Sequence, residues 1–317
     1  MGITEESRAF QAALEGGGLE GLRACPKADL HNHAILGGDR SFLETWSGRA
    51  IPVLDRKLAT MDEMHAWVET HVGRPFADSG GRLKAFEATL IQARADGITR
   101  LEVGDDIWAI TLFENSAERL TGELRALHTR VVPDLEWIPQ LGMSRHCRIE
   151  ALTAWLEPFL DLGFYETLDL SGDEFAQPIE NFAPFFARAK KAGFRLKAHV
   201  GEWGDAASVQ RAVEVLDLDE VQHGIAAADS PPVMRFLASH KIRLNICPTS
   251  NLMLSRVDSL AQHPIRKLFD AGVRVTINTD DVLVFGASVS QEFLSLFEAG
   301  VFTAAELDQI RLNGLTD

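Results

Sequence analysis

The sequence contains little cysteine, and its few cysteines are far apart. Cys25, Cys147 and Cys247 are the only three in 317 residues, and no C-x-x-C motif occurs. An odd number of widely spaced cysteines argues against a disulfide framework and predicts a reducing compartment. With 46% hydrophobic residues, the chain is instead long and apolar enough to build a large core.

Long apolar runs and excess positive charge are also missing. No uninterrupted apolar stretch reaches about 18 residues, so no segment is expected to span a bilayer. The 31 Lys and Arg against 46 Asp and Glu give a formal charge of −15. A surface this acidic repels phosphate backbones and anionic lipids, which argues against nucleic acid and membranes as partners. The N-terminal MGITEESRAF is polar and acidic, unlike a signal peptide, and a cytoplasmic location is predicted.

Linkers rich in Pro, Gly or Ser, low-complexity tracts and sequence repeats are absent as well. We therefore expect one domain over residues 1–317. Residues 1–25 are expected to form a helical extension, with an amphipathic helix at 4–15 that a run of three glycines ends. A G-x-G-x-x-G pattern at 16–21 lacks the preceding strand that dinucleotide binding requires, so it predicts a flexible turn. The last helical segment is short for its place, so the chain is expected to continue beyond Asp317.

Strand-like and helical segments alternate along the chain. The predicted strands are Lys27–His33, Thr99–Val103, Leu135–Leu141, Glu166–Leu170, Arg195–His199, Glu220–His223, Ile242–Ile246 and Val273–Asn278. Helical segments follow at 116–128, 148–160, 179–192, 206–216, 232–239, 264–271 and 288–299. Eight βα units of this length predict an α/β protein with a (β/α)8 TIM barrel rather than a doubly wound sheet.

A helical insertion is expected after the first strand, within residues 41–95. Its hydrophobic residues recur at helical spacing. Aromatic residues at such spacing usually belong to a core, but next to a strand end they could also line a pocket. Phe42, Trp46 and Trp67 fit both interpretations.

Ionisable residues collect at the carboxyl ends of the predicted strands. Alternate strand residues share a face, so His31 and His33 are expected to point the same way. An isolated His-x-His is more often a pair of ordinary polar residues. Here His199 ends strand five and Asp280 follows strand eight, and all strand ends of a barrel surround one mouth. Three imidazoles and a carboxylate suit Zn²⁺ and leave room for a bound water whose pKa zinc would lower.

Three further residues near these strand ends have the chemistry of a hydrolytic site. Glu202, three residues after His199, is placed to move a proton without binding metal. His223 is expected to orient the water, and Asp281 to face the substrate. The other histidines lack this context and are expected at the surface or in the core: His65, His71, His128, His146, His240 and His263.

Six short motifs occur in a fixed order. They are Leu30-His31-Asn32-His33, Leu170-Ser171-Gly172-Asp173-Glu174, His199-Val200-Gly201-Glu202, His223-Gly224, Cys247-Pro248-Thr249-Ser250-Asn251, and Thr279-Asp280-Asp281 followed by Ser290-Gln291-Glu292-Phe293. In this order they resemble the adenosine deaminase family of the metal-dependent amidohydrolase superfamily. The resemblance runs from about Pro26 to the C-terminus and is densest after Asp169.

The resemblance implies roles for particular residues. It implies one zinc ion per chain, held by His31, His33, His199 and Asp280. Glu202, His223 and Asp280 would be the catalytic residues, with Glu202 protonating the purine nitrogen N1 and His223 supporting the attacking hydroxide. Asp281 would bind N7, the backbone at Gly172 would contact N3, and His33 would also face the substrate. The implied reaction is hydrolytic deamination of a 6-aminopurine nucleoside, with adenosine the default substrate.

The sequence departs from the family pattern where the sugar would bind. After its His-x-His the family places an Asp that contacts the ribose 5′-hydroxyl, whereas this chain continues Ala34-Ile35-Leu36-Gly37-Gly38. Val282 and Gln222 stand where the family often has Pro and Gly.

These departures leave alternative functions open. Adenine, or a nucleoside with a modified sugar such as aminodeoxyfutalosine, rivals adenosine as substrate. Another amidohydrolase reaction and a non-catalytic homologue are further alternatives. The motifs at Gly172 and Asp281 argue against the former, and the retained Glu202 against the latter. The sequence predicts no particular oligomeric state.

Overall fold

The chain folds into a barrel of eight parallel strands surrounded by helices. The computed structural model describes residues 4–316. Its strands are β1 Lys27–Asp29, β2 Ile98–Asp106, β3 Glu136–Ser144, β4 Thr167–Ser171, β5 Arg195–Val200, β6 Glu220–His223, β7 Arg243–Ile246 and β8 Arg274–Ile277. They pair in sequence order, each parallel to the next. The predicted (β/α)8 barrel is therefore confirmed.

Hydrogen bonds between the segments that follow β8 and β1 bring the first and last strands together. Asp280 N–H donates to the His31 carbonyl at 2.9 Å, and Asn32 forms an isolated parallel bridge with Asp280. The Leu30 N–H donates to Asn278 Oδ1 at 2.8 Å. The first strand was predicted to reach His33, but β1 ends at Asp29. The two histidines lie beyond regular pairing, where the chain meets the end of β8.

Helices alternate with the strands and form the outer layer. They are α1 Glu5–Glu15, α2 Leu19–Arg23, α3 Arg40–Ser47, α4 Met61–Val68, α5 Ser79–Ala95, α6 Ala117–Val131, α7 Ile149–Leu160, α8 Ala183–Lys191, α9 Ala206–Leu216, α10 Pro231–His240, α11 Pro248–Met253, α12 Ile265–Asp270, α13 Val282–Phe285, α14 Val289–Glu298 and α15 Ala304–Leu315. Between residues 4 and 316, no helix combines the length and apolarity needed to cross a membrane.

The predicted N-terminal helix is present and packs under the barrel together with the last helix. Phe10 of α1 is fully buried, and the Arg311 guanidinium of α15 lies 5.1 Å from its ring centroid. Arg311 Nη1 also donates to the Pro26 carbonyl at 2.9 Å, just before β1. Helix α15 thus connects the N-terminal helix to the start of the barrel.

The expected helical insertion after β1 contains α3 and α4. Phe42 and Trp67 pack against a small apolar cluster around Leu43. They therefore belong to core packing rather than to the lining of the pocket. Trp46 stacks 5.6 Å from the Phe76 ring and is 40% exposed. The cavity at the barrel mouth is lined from this insertion by other residues, namely Met61, Met64, His65 and Val68.

Alternate residues of each strand face the barrel axis. Polar residues are among those that line this interior. Lys197 of β5 lies there with no exposed surface, 2.6 Å from Glu102 Oε2 and 3.1 Å from Glu220 Oε2. Its ammonium also donates to the Leu30 carbonyl at 3.1 Å. Burial acts to raise the pKa of Glu220, but Lys197 and Arg243 together hold it below its usual value. These contacts give Lys197 a structural role in the barrel interior.

Replacing Lys197 with Met should strongly destabilise the fold, because it removes the ion-pair partner of buried Glu102 and one of the cations that contact Glu220. Removing one partner of a buried ion pair costs about 3–5 kcal/mol. Chemical denaturation followed by circular dichroism measures the free energy of unfolding. Lys190→Met, at a lysine 42% exposed, is the control and should change that free energy little. Equal stability of the two variants would contradict this structural role.

Candidate active site

Four side chains from three strand ends converge at the barrel mouth. The Nε2 atom of His199 lies 3.0 Å from that of His31 and 3.3 Å from that of His33. Asp280 Oδ1 lies 3.0 Å from His33 Nε2 and 3.4 Å from His31 Nε2. All four donor atoms are within 4.8 Å of one another. The structure thus brings together the four residues predicted as metal ligands.

Further contacts orient these donor atoms toward a common point. His31 Nδ1 lies 3.0 Å from the Asn245 carbonyl, which fixes its proton there and leaves the Nε2 lone pair free. His199 Nδ1 faces Asp169 Oδ1 at 3.4 Å. The Ser250 hydroxyl donates to Asp280 Oδ2 at 2.6 Å, so Oδ1 is the oxygen that faces the histidines.

The donor set fits a zinc ion. Three imidazole nitrogens and a carboxylate oxygen are the ligand types that zinc sites use, and His31, His199 and Asp280 are each oriented by a second contact, as zinc ligands usually are. Cys247, with His31, His223 and Asp280, forms a second group of closely spaced donor atoms. Burial raises the pKa of the Cys247 thiol well above its usual value, which disfavours the thiolate that binds a metal ion. The group with three histidines therefore suits the ion better.

Glu202 lies beside the cluster. Its Oε2 accepts a hydrogen bond from Trp203 Nε1 at 2.9 Å, and its Oε1 one from Asn251 Nδ2 at 3.3 Å. Burial, and then the negative charges of Asp280 and Glu174, raise its pKa well above the usual value. This raised pKa favours the protonated carboxyl group that proton donation at the cavity wall requires.

Glu174 holds the turn that carries Glu202. Its carboxylate accepts hydrogen bonds from the N–H groups of Gly201, Glu202 and Trp203, at 2.8, 2.9 and 2.7 Å. Arg145 donates to the Glu174 carbonyl at 2.8 Å and to the His199 carbonyl at 3.0 Å. Sequence reasoning assigned no role to either residue. The signal for Glu174 was its place in the Leu-x-Gly-Asp-Glu motif, whereas Arg145 belongs to none of the motifs.

His223 has the backbone and hydrogen bonds of a fixed side chain. Its φ of +61° places it in the left-handed region, and it is buried at the end of β6. Its Nδ1 lies 3.3 Å from Asn251 Nδ2, which can donate to it and so leave the ring proton on Nε2. That Nε2 lies 3.6 Å from Glu202 Oε2 and 4.0 Å from Asp280 Oδ2. His223 thus presents an N–H group between the proposed ligand cluster and Glu202.

Asp281 is buried at the cavity wall. Among the residues that the structure describes, none hydrogen-bonds to its Oδ1. Burial and the charge of Asp280 raise its pKa to about 8, while His33 lowers it. A buried polar atom without a partner is costly, so this atom is suited to bind a ligand.

These residues surround a cavity of about 320 Å³, within the range of small-molecule sites. One side is apolar and includes Ile35, Leu36, Met64 and Leu254, and another is polar and includes Arg82, Asp106, Gln140 and Ser144. Gly172, with φ +89°, also lines it, and a Cβ there would approach His146 within 3.0 Å. His65 and His146, expected at the surface or in the core, line the cavity instead, with ring centroids 5.6 Å apart.

Comparisons of the sequence point to one family. The sequence model of the family described as Adenosine deaminase matches residues 145–317. Among curated proteins, a putative adenosine/adenine deaminase of Treponema pallidum is 39% identical over 285 residues, which cover 90% of this chain and 95% of that protein. The resemblance inferred from the motifs is therefore confirmed.

Comparisons of the structure agree on the fold. An adenine deaminase from Arthrobacter aurescens has a TM-score of 0.79 at 23% identity, covering 92% of each chain. An amidohydrolase from Burkholderia ambifaria with bound Zn has a TM-score of 0.74 at 22% identity, covering 99% of this chain and 88% of that one. Since the family match extends over more than half of the chain and the Treponema relative aligns along nearly all of it, this protein belongs to the adenosine deaminase family of hydrolytic deaminases.

Proposed function

We propose that this protein removes the 6-amino group of a purine by hydrolysis, and that adenosine is its substrate, converted to inosine and ammonia. The observation that carries the proposal is the pair of buried acids, Glu202 and Asp281, which line the same cavity as three of the four convergent residues, His33, His199 and Asp280. Both acids have raised pKa values. Each can therefore present a proton to a ring nitrogen.

One zinc ion is proposed to be held by His31, His33, His199 and Asp280. Zinc bound there lowers the pKa of water toward ~7 and so supplies hydroxide near neutral pH. The chain's own contribution is to fix the ligands through Asn245, Asp169 and Ser250 and to place the substrate's C6 beside them.

The purine nitrogens explain why two protonated acids are useful. N1, N3 and N7 carry lone pairs and need hydrogen-bond donors. Glu202 is proposed to protonate N1, which makes C6 electrophilic, and neutral Asp281 to donate to N7. The backbone N–H at Gly172 is proposed to face N3, and the His223 Nε2–H to stabilise the incoming oxygen. Of the two protons of the added water, one reloads Glu202, whose own proton stays on N1 of the product, and the other converts the leaving amino group to ammonia.

Free adenine is the second candidate substrate, and one observation favours it. No acid occurs between residues 34 and 38, where the family binds the ribose 5′-hydroxyl, and the apolar Ile35 and Leu36 line the cavity instead. The name of the Treponema relative includes both adenosine and adenine. Activity is therefore to be measured with both adenosine and adenine.

We expect one tightly bound zinc ion per chain. His31→Ala should lose the metal and lower the melting temperature, because metal binding and folding are coupled. Elemental analysis of protein expressed with added zinc measures the stoichiometry, and thermal unfolding measures the stability. His240→Ala, at an exposed histidine, is the control and should retain the ion. Two metals per chain, or none in the unmodified protein, would contradict the proposed site.

Glu202→Gln should abolish turnover while the protein keeps its metal. Glutamine has nearly the same shape but cannot donate and recover a proton, and loss of a general acid costs about 10²–10⁴-fold in rate. Ammonia release with adenosine and adenine measures turnover, and elemental analysis measures the bound metal. Glu214→Gln removes one exposed negative charge as a control and should remain active. A kcat close to normal in Glu202→Gln would assign proton delivery to another group.

Removing the 5′-hydroxyl of the substrate should matter little. With apolar Ile35 and Leu36 beside the cavity and no acid in the loop, 5′-deoxyadenosine should have a kcat/KM within ~10-fold of adenosine. A site that binds a hydroxyl through a buried polar partner discriminates far more strongly, by about 10⁴-fold. A 5′-extended analogue should also be accepted. A loss of about a hundredfold or more for 5′-deoxyadenosine would mean that another residue binds this hydroxyl.

A further inference from the structure

Residues of β2, β3 and α5 form a polar cluster that the proposed chemistry does not use. It consists of Arg82, Asp105, Asp106 and Gln140, all of which line the cavity. The Arg82 guanidinium is bound by Asp105 through two hydrogen bonds and lies 4.4 Å from the centroid of the Trp108 ring. Its Nη2 is 3.7 Å from Asp106 Oδ2. One cation thus faces two carboxylates. Burial raises the pKa of Asp106 and Arg82 lowers it, and the cluster carries a net negative charge when both carboxylates are ionised.

Asp106 and Gln140 present acceptor atoms to the cavity. The Asp106 side chain is 32% exposed, whereas Asp105 is 5% exposed and fully engaged with Arg82. The Asp106 carboxylate lies over Gly142. A Cβ at Gly142 would come within 2.5 Å of Asp106 Oδ1, so the lack of a side chain at this glycine leaves room for the carboxylate. Gln140 is 5% exposed, and within residues 4–316 no group hydrogen-bonds to its Oε1. This unpartnered atom indicates a ligand group that donates.

The order of the strands around the barrel indicates which part of the purine faces this cluster. In the proposed orientation, N7 faces Asp281 after β8 and N3 faces Gly172 after β4. Along the edge of the purine ring system, N9 lies between N7 and N3. Going around the barrel from β8 to β4 through β1, the strands between them are β1, β2 and β3. The N9 side of the purine therefore faces Asp106 and Gln140.

We propose that Asp106, supported by Gln140, accepts a hydrogen bond from a neutral donor on the N9 side of the substrate. This inference rests on the proposed function and names the group that determines substrate choice beyond the ring. The donor is the N9–H of free adenine or a ribose 2′- or 3′-hydroxyl. Because the cluster is net negative, a phosphate on the same side is disfavoured. Arg82 is a positioning residue, since its nitrogen atoms are directed at the two carboxylates.

The test compares Asp106→Asn with the unmodified zinc-loaded protein on adenine, adenosine and 9-methyladenine. The last compound has no donor on the N9 side, and it is measured as a substrate or as a competitive inhibitor. Asp106→Asn should lower kcat/KM for the better of adenine and adenosine by about 10–100-fold, because a buried donor loses its charged acceptor. The value for 9-methyladenine should change less than about twofold, and 5′-AMP should improve relative to adenosine.

Two further variants make the result interpretable. Asp62→Asn removes one negative charge from the exposed face of α4 without lining the cavity, and it should leave all ratios unchanged. Asp106→Ser repeats the loss of the carboxylate with a smaller side chain, in case the amide disturbs Arg82. Equal losses on all three compounds, or none, would overturn this inference alone. If the unmodified protein deaminated no aminopurine at all, this result would contradict the proposed function itself.

Discussion

Three imidazole nitrogens and one carboxylate oxygen meet at a single point, and the surrounding polar structure exists to hold them there. Such a cluster is unfavourable unless its lone pairs share a cation. In His31, His199 and Asp280, an atom that does not face that point is held by a further contact, with Asn245, Asp169 and Ser250 as the respective partners. The loop that carries Ser250 is held in turn, because Glu292 accepts a hydrogen bond from the Thr249 N–H at 3.0 Å. The constraint thus extends outward from the cluster to helix α14.

The barrel combines a polar interior with an apolar layer between its strands and helices. On β2 the inward residue Glu102 contacts Lys197, whereas its neighbours Leu101 and Val103 belong to the large apolar cluster outside the barrel. Burial of that outer layer supplies the favourable free energy of folding. The inner ion pairs contribute less, because desolvation offsets much of their attraction. These ion pairs lie inside the barrel, so the side chains at the strand ends remain available to form the proposed site.

Much of the fold and of the site could be predicted from the sequence, because both depend on local patterns. Eight short apolar strands alternate with amphipathic helices, and that rhythm alone indicates the barrel. The proposed metal ligands follow from strand ends, since barrel closure brings every strand end to one mouth. The orientation of inserted helices was not predictable. Whether Trp67 or Met64 of α4 faces the cavity depends on packing against distant residues such as Leu283, which no local period encodes.

The turn after β4 has a consequence for how the site tolerates change. Gly172 and Glu174 are two residues apart, and the Glu174 carboxylate binds three successive N–H groups, including that of Glu202. The edge against which the ring is proposed to rest and the acid proposed to act on it are therefore joined through one carboxylate. A substitution at Glu174 would disturb both turns at once, so two parts of the site on different strands depend on a single side chain.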